Sequence, residues 1–305
     1  MRCFVRRGCA SFPSVLASGT ALGYWVRGMS KLIPILCWAS LIIGAPVFAT
    51  PMLDAHSHYT ADNAEALSPQ QVVAALDAAN VSHLVVSGTP WDAVLSLHEH
   101  APDRVVPLLG VYASHLGKAM WMHDADLPAR VEARLAEGEW AGIGELHLFA
   151  RDAGSPVFAA LVRLADAHGL MLLIHGDAEV IDRAFEIAPG LRVLWAHLGT
   201  VPTPGLVGRT LERHAGRALW VDTSVRDERI APDGQLLPEW RALFEAHPER
   251  FVVAVDTFST NRWRNYGEVV ASIRGWTADL SPELRERMLW RNAEALFAPW
   301  LRGRP

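Results

Sequence analysis

The stretch Met52-Leu53-Asp54-Ala55-His56-Ser57-His58 sets two imidazoles two residues apart behind an apolar start. Read as a short strand, it turns His56 and His58 to one side, about 6.6 Å apart along the backbone. Neutral imidazoles so placed can converge on one cation through their ring nitrogens. Alone, the pair is equally well explained by a solvated strand face, so its meaning rests on what recurs downstream. Later apolar runs end in Gly144-Glu145-Leu146-His147, Ile174-His175-Gly176-Asp177, Ala196-His197-Leu198 and Val255-Asp256-Thr257. Core packing does not explain five of eight runs ending in His, Glu or Asp, because buried imidazoles and carboxylates need partners. A divalent cation where they meet would partner all of them.

Bringing five strand ends to one centre requires a repeated frame. From residue 51 the chain alternates short apolar runs with amphipathic segments eight times. The runs predict strands over 52–58, 81–87, 105–112, 142–148, 170–175, 191–197, 218–223 and 251–256. The segments between them predict helices over 69–79, 91–99, 127–136, 157–167, 178–187, 206–214 and 238–246. Ser68-Pro69 and Ser155-Pro156 each place a cap residue before a first-turn proline, and Gly169, Gly190 and Gly216 close helices ahead of the next strand. Nearly continuous apolar strands between helices describe a parallel sheet covered on its outside. This is an α/β fold that closes most simply as a (β/α)8 TIM barrel. We read a single domain over 51–305, with a doubly wound open sheet as the alternative. In such a barrel the chemistry sits where strands run out into loops, which is where these residues fall.

Composition narrows the chemistry. Half of the 305 residues are apolar and a fifth are charged, enough for a sizeable core. Five of the 28 basic residues (Arg2, Arg6, Arg7, Arg27 and Lys31) precede residue 50, where there is no acid. That leaves 23 bases against 33 acids, a balance of −10 in the rest. No basic stripe follows, which argues against nucleic acid as a partner. Cys3, Cys9 and Cys37 all lie before residue 50, so the body has no disulfide and no cysteine ligand or nucleophile. Any metal must rest on His and carboxylates. Residues 1–49 read as a leader: Met29-Ser30-Lys31, an apolar run over 32–47 and Val47-Phe48-Ala49 have the form of a signal peptide cleaved after Ala49, with Met29 as the true start. About sixteen apolar residues are short for a membrane span. The expected protein is exported, periplasmic or secreted, acts on a small molecule and is not held in a membrane after cleavage; a homo-oligomer is compatible with this.

The order His-x-His, Glu, His, His, Asp resembles the amidohydrolase superfamily of metal-dependent barrel enzymes. The phrases LIHGD (173–177), WAHLG (195–199) and RNAEALF (291–297) are similar to its amidohydrolase-related branch, which includes decarboxylases and lactonases. GIGELHL (142–148) is similar to TatD-like hydrolases, where a strand-4 glutamate is a metal ligand. The resemblance spans 52–297. It implies one or two divalent ions, zinc by default, with His56, His58 and Asp256 on one, His175 and His197 on a second, and Glu145 bridging. Many members use a carbamylated strand-4 lysine as the bridge. No lysine lies there, and Lys118, the only one after Lys31, falls in a loop. Asp256 would take the proton of the attacking water and pass it to the leaving group, and His197 would polarise the attacked carbonyl. A one-ion version uses His56, His58, His175 and Asp256, with His197 beside them as an electrophilic partner. His147, Arg226 and Trp263 are candidate substrate contacts; Trp91, Trp121 and Arg262 should overhang the mouth, and Asp177 should orient His175. The implied activity is hydrolysis of a carbonyl, ester, lactone or amide bond. A metal-dependent decarboxylase of an aromatic or unsaturated acid and a non-catalytic metal-binding protein are the rivals.

Overall fold

The computed structural model describes residues 50–112 and 115–301, so the expected leader lies outside the described residues. The apolar runs form eight strands: β1 (Met52–His58), β2 (Val81–Ser87), β3 (Val105–Leu109), β4 (Gly142–Leu148), β5 (Met171–Gly176), β6 (Arg192–Trp195), β7 (Ala218–Asp222) and β8 (Phe251–Val252). They pair in sequence order, every pair parallel. The last stretch returns to the first strand: Ala55 N–H donates to Val253 O at 3.2 Å and Asp256 N–H to His56 O at 2.7 Å. The buried Asp54 carboxylate adds to this seam, accepting from Val255 N–H at 2.9 Å, the Tyr266 hydroxyl at 3.0 Å and the Ser57 hydroxyl at 2.7 Å. A (β/α)8 barrel results, not an open sheet.

The helices follow the local signals. Ser68 caps Pro69–Ala78 through a reciprocal bond with Gln71, and Ser155 caps Pro156–Ala167. Ala178–Ile187 and Pro238–Ala246 occur with the expected ends, and Asp92–His100, Leu127–Leu135 and Pro204–Arg213 with ends shifted by at most two residues. Beyond β8 the chain adds Thr260–Arg264 and Tyr266–Thr277, which the sequence reading left unassigned. Three strands stop two or more residues earlier than their apolar runs suggest, the first being β3, which ends at Leu109 and not at Tyr112. β6 gives way to a turn at Ala196–Leu198, and β8 ends at Val252 although apolar residues continue to Val255. Among the described residues no helix is long and apolar enough to cross a membrane.

Alternation along the strands separates two apolar layers. Leu53, Ala55, Val85, Val106, Met171, Leu173, Leu194, Val252 and Ala254 fill the barrel, together with Ala293, Leu296 and Phe297. Met52, Leu84, Val86, Ile143, Leu146, Leu172, Ile174, Leu219 and Val221 face the helices instead. Which layer a residue belongs to decides whether its strand end can reach the barrel mouth.

Candidate metal centre

Plain alternation brings three residues to the mouth. Met171 and Leu173 face inward, so His175 follows on their side; Trp220 packs on the interior cluster and leads to Asp222; Val252 and Ala254 lead to Asp256. β1 and β4 depart from it. Leu53 and Ala55 face inward, which would turn His56 and His58 outward, but a register shift between Asp54 and Ser57 re-aims both. Ile143 faces the helices, and a second shift, between Ile143 and Leu146, brings Glu145 and His147 inward. On β6, Leu194 and Ala196 face inward. Left-handed backbone at His197 (φ 60) and Leu198 (φ 58) then swings the next imidazole over the centre. Asp256 (φ 55) and Val225 (φ 52) share this sparsely populated conformation, which costs about 1–3 kcal/mol per residue and clusters at functional sites.

The resulting cluster is crowded with acceptors. Glu145 lies in the middle: Oε1 is 2.9 Å from His175 Nδ1, 3.1 Å from His197 Nε2 and 3.8 Å from His56 Nε2. Its Oε2 is 3.4 Å from His58 Nε2 and 3.3 Å from His147 Nε2. The Nε2 atoms of His56 and His58 are 3.2 Å apart. Behind them, His56 Nδ1 meets Asp222 at 3.0 Å, His58 Nδ1 meets Ser87 Oγ at 3.0 Å, and His197 Nδ1 meets Ser224 Oγ at 2.8 Å. Asp256 Oδ1 is buried without a hydrogen-bond partner; His58 Nε2 lies 3.2 Å away, but the approach lacks hydrogen-bond geometry. Outer partners at Nδ1, Nε2 atoms turned inward and an orphaned carboxylate oxygen are what ligands around a cation require. Three overlapping trios could each hold an ion: His56, His58 and Asp256; His56, Glu145 and His197; and Glu145, His147 and His175. The first is the trio the resemblance implies. On the far side, His175 falls with His147 and His197 with His56.

The electrostatics carry the same demand. Burial favours the neutral acid of Glu145, yet His147, His56, His175 and His197 hold its carboxylate well below the usual range. Burial likewise opposes ionisation of Asp256 and Asp222, but His58 and His56 hold Asp256 down, and His56 with His197 and Ser224 brings Asp222 to about 2. His56 is raised to about 10: burial lowers it, and the Glu145 and Asp222 carboxylates more than offset this. His147 is pushed down to about 2, chiefly by burial. In the metal-free protein, protons on histidine balance the buried carboxylates.

A cavity of about 890 Å³ opens over the cluster, lined by His58, Glu145, His147, His175, His197 and Asp256 and, further out, by Lys118, Arg226, Phe258 and Arg262. His147 lies in this wall, its backbone N–H donating to the Tyr112 hydroxyl at 2.6 Å and its carbonyl accepting from Trp121 Nε1 at 2.8 Å. Arg226 lines the cavity, but its Nε is committed to His197 O at 3.0 Å. Trp263, expected at the substrate, is instead buried: its indole N–H satisfies itself on His58 O at 2.9 Å, and its ring packs between Tyr59 and Tyr266. Trp121 is buried, and Trp91 lies in a separate apolar pocket of about 530 Å³. Asp177 turns away from His175 to accept from Ala150 N–H and the Thr200 hydroxyl. Away from the cluster, His98 bonds Val105 O and His214 bonds Asp182.

The sequence reading did not assign Asp222, Ser224, Ser87 and Tyr112 to the site. For Asp222 a signal existed: β7, like its neighbours, ends an apolar run in an ionisable residue.

Comparison with known proteins agrees with this architecture. A 4-oxalomesaconate hydratase from Rhodopseudomonas palustris superposes with a TM-score of 0.55 at 14% identity, over 81% of this chain and 95% of that one. A putative 2-pyrone-4,6-dicarboxylic acid hydrolase from Pseudomonas putida gives 0.56 at 18%, over 82% and 98%. At these identities the likeness is one of fold. No curated protein sequence matches. The amidohydrolase family model matches residues 48–298, and with the barrel and its metal-ligand cluster in place, the chain belongs to the amidohydrolase family.

Proposed function

We propose that this protein is a zinc-dependent hydrolase that cleaves an ester, lactone or amide bond in an anionic small molecule. The carrying observation is the convergence of His56, His58, Glu145, His197 and Asp256 on one point under an open cavity, with imidazole nitrogens and carboxylate oxygens turned toward one another. Imidazole and carboxylate ligands suit zinc as a borderline cation. Bound there, it would supply Lewis acidity and lower the pKa of a coordinated water to about 7. Asp256, ionised and with one oxygen unpaired, is positioned to accept a proton from the attacking water and return it to the leaving group. His197, whose Nδ1 meets Ser224 while Nε2 faces Glu145, fits a ligand better than a hydrogen-bond donor to the substrate. Lys118 lines the cavity and makes no ion pair among the described residues, and Arg226 and Arg262 bond only backbone carbonyls there. These cations suit a substrate carboxylate, the chemistry named for the Pseudomonas putida neighbour.

The test is metal analysis of the purified protein with a panel of lactones, esters, amides and aromatic acids. Metal-dependent hydrolysis is expected. An absence of divalent metal, together with an unchanged His56→Ala variant, would sink the proposal, and release of carbon dioxide would turn it toward decarboxylation. We also propose export, with cleavage after Ala49. N-terminal sequencing of the secreted or periplasmic protein should begin at Thr50, and recovery of an intact leader would refute this.

A further inference from the structure

The strand-7 carboxylate ties together two rings that come from strands that do not pair with each other. Asp222 is fully buried at the end of β7. Its Oδ2 lies 3.0 Å from His56 Nδ1 on β1. Its Oδ1 accepts from His197 N–H at 3.0 Å, from Ser224 N–H at 3.0 Å and from the Ser224 hydroxyl at 2.5 Å. An ionised carboxylate only accepts, so the proton between Asp222 and His56 sits on Nδ1, and Nε2 is the nitrogen that would give up its proton to a cation. Ser224 has one hydroxyl proton and spends it on Asp222. Its oxygen can therefore only accept from His197 Nδ1, 2.8 Å away, which likewise leaves Nε2 as the nitrogen of His197 that a cation would take. Both Nε2 atoms face Glu145 Oε1, and the two rings stack with centroids 5.1 Å apart. The same carboxylate holds the backbone of His197 in its left-handed conformation by taking its N–H, while Arg226 holds its carbonyl.

We propose that Asp222, with Ser224 as its relay, is the positioning residue that sets the tautomer and orientation of both His56 and His197 for cation binding. Neither residue lines the cavity, so neither touches the substrate. The inference rests on the metal-centre reading above. Asp222→Asn is nearly isosteric, and its oxygen can still accept from His197 N–H and Ser224. Its amide nitrogen then donates to His56 Nδ1, which moves the ring proton to Nε2 and points it into the cluster. Ser224→Ala removes only the acceptor behind His197, and Ser224→Thr restores it.

The readout is metal affinity, by competition of a graded chelator against Zn2+ and Co2+, with the visible spectrum of the cobalt form reporting coordination geometry. Circular dichroism checks the fold. We expect Asp222→Asn to weaken binding about 10–100-fold and to alter the cobalt spectrum, Ser224→Ala to weaken it by a smaller factor, and Ser224→Thr to stay near wild type. Wild-type affinity in a folded Asp222→Asn variant would overturn the inference. So would a loss of thermal stability in that variant with unchanged affinity, since that describes a purely structural residue. If Asp222→Asn does not fold, the serine pair decides: loss with alanine and recovery with threonine supports the relay, and no loss with alanine refutes it. A wild-type protein that takes up no metal would overturn the metal-centre reading and this inference together, whereas metal uptake indifferent to Asp222 and Ser224 would remove this inference alone.

Discussion

β5 and β7 deliver His175 and Asp222 by simple alternation, whereas β1, β4 and β6 each need a local irregularity to deliver theirs. On the regular strands the same period that buries Leu173 or Trp220 also aims the next polar side chain into the mouth. On β1 and β4 that period would point the ligand-type residues at the helices, and a register shift reverses it. On β6 a left-handed residue has the same effect. The irregular strands supply His56, His58, Glu145 and His197, four of the residues that converge most closely. The polar cluster is thus assembled where the barrel departs from its own repeat, and the departures should respond to mutation differently from the regular strands.

The largest effect should come from the residue proposed to handle the proton. Asp256→Asn is expected to lower kcat by about 10²–10⁴-fold on whichever panel substrate is turned over, with the fold retained by circular dichroism. A loss below tenfold would remove Asp256 from the chemistry. Next comes the β4 irregularity. Gly144 has φ +151, and an added Cβ would lie 2.7 Å from Leu173 Cβ and O. Gly144→Ala should therefore misplace Glu145, costing about 2 kcal/mol or more in denaturant unfolding and most of the bound metal. Gly190→Ala, at a position with open space around it, is the control and should leave both unchanged. If the two variants behave alike, the contrast between irregular and regular segments has no energetic content.

A smaller change is expected at the outer partner of β1. Ser87→Ala removes the hydroxyl 3.0 Å from His58 Nδ1 and should weaken metal binding about tenfold in a chelator competition, leaving a Leu173→Met change on regular β5 near wild type. The smallest effect is the pH response of the metal-free cluster. His56 is raised from 6.5 to about 10, so its contribution to stability is full below about pH 6.5 and is lost as pH climbs toward 10. A cation competes with that proton. The rise in Tm on adding zinc should accordingly be larger at about pH 9 than at about pH 6.5. Melting curves at the two pH values check this, and an increment that shrinks with pH would contradict the picture of a proton standing in for the cation.

Much of this could be read without coordinates. The eight apolar runs predicted the strands, and Ser68-Pro69 and Ser155-Pro156 marked two helix starts that occur as read. The residue types at the strand ends named the chemistry, because His, Glu and Asp after apolar runs have no other reason to be buried together. Trp263 shows where the reading failed. Its place in a loop after β8 suggested a pocket wall, but its indole N–H found His58 O, 205 residues away in sequence. Asp177 failed for a similar reason, since its partners come from other loops.

The assignment of the strand-end residues as ligands rested on the resemblance, whereas their types and order follow from composition and period, because each apolar run is local and its terminal residue can be read in place. The direction each ligand faces does not. Register shifts at Asp54–Ser57 and Ile143–Leu146 are set by pairing with the neighbouring strand, and His197's left-handed turn is held by the hydrogen bond its N–H donates to Asp222 and the one its carbonyl accepts from Arg226. The bond between His56 and Asp222 joins residues 166 apart, from strands that do not pair. Such contacts exist only once the barrel has closed, so the chain alone names the candidate ligands, and only the closed barrel decides how they are aimed.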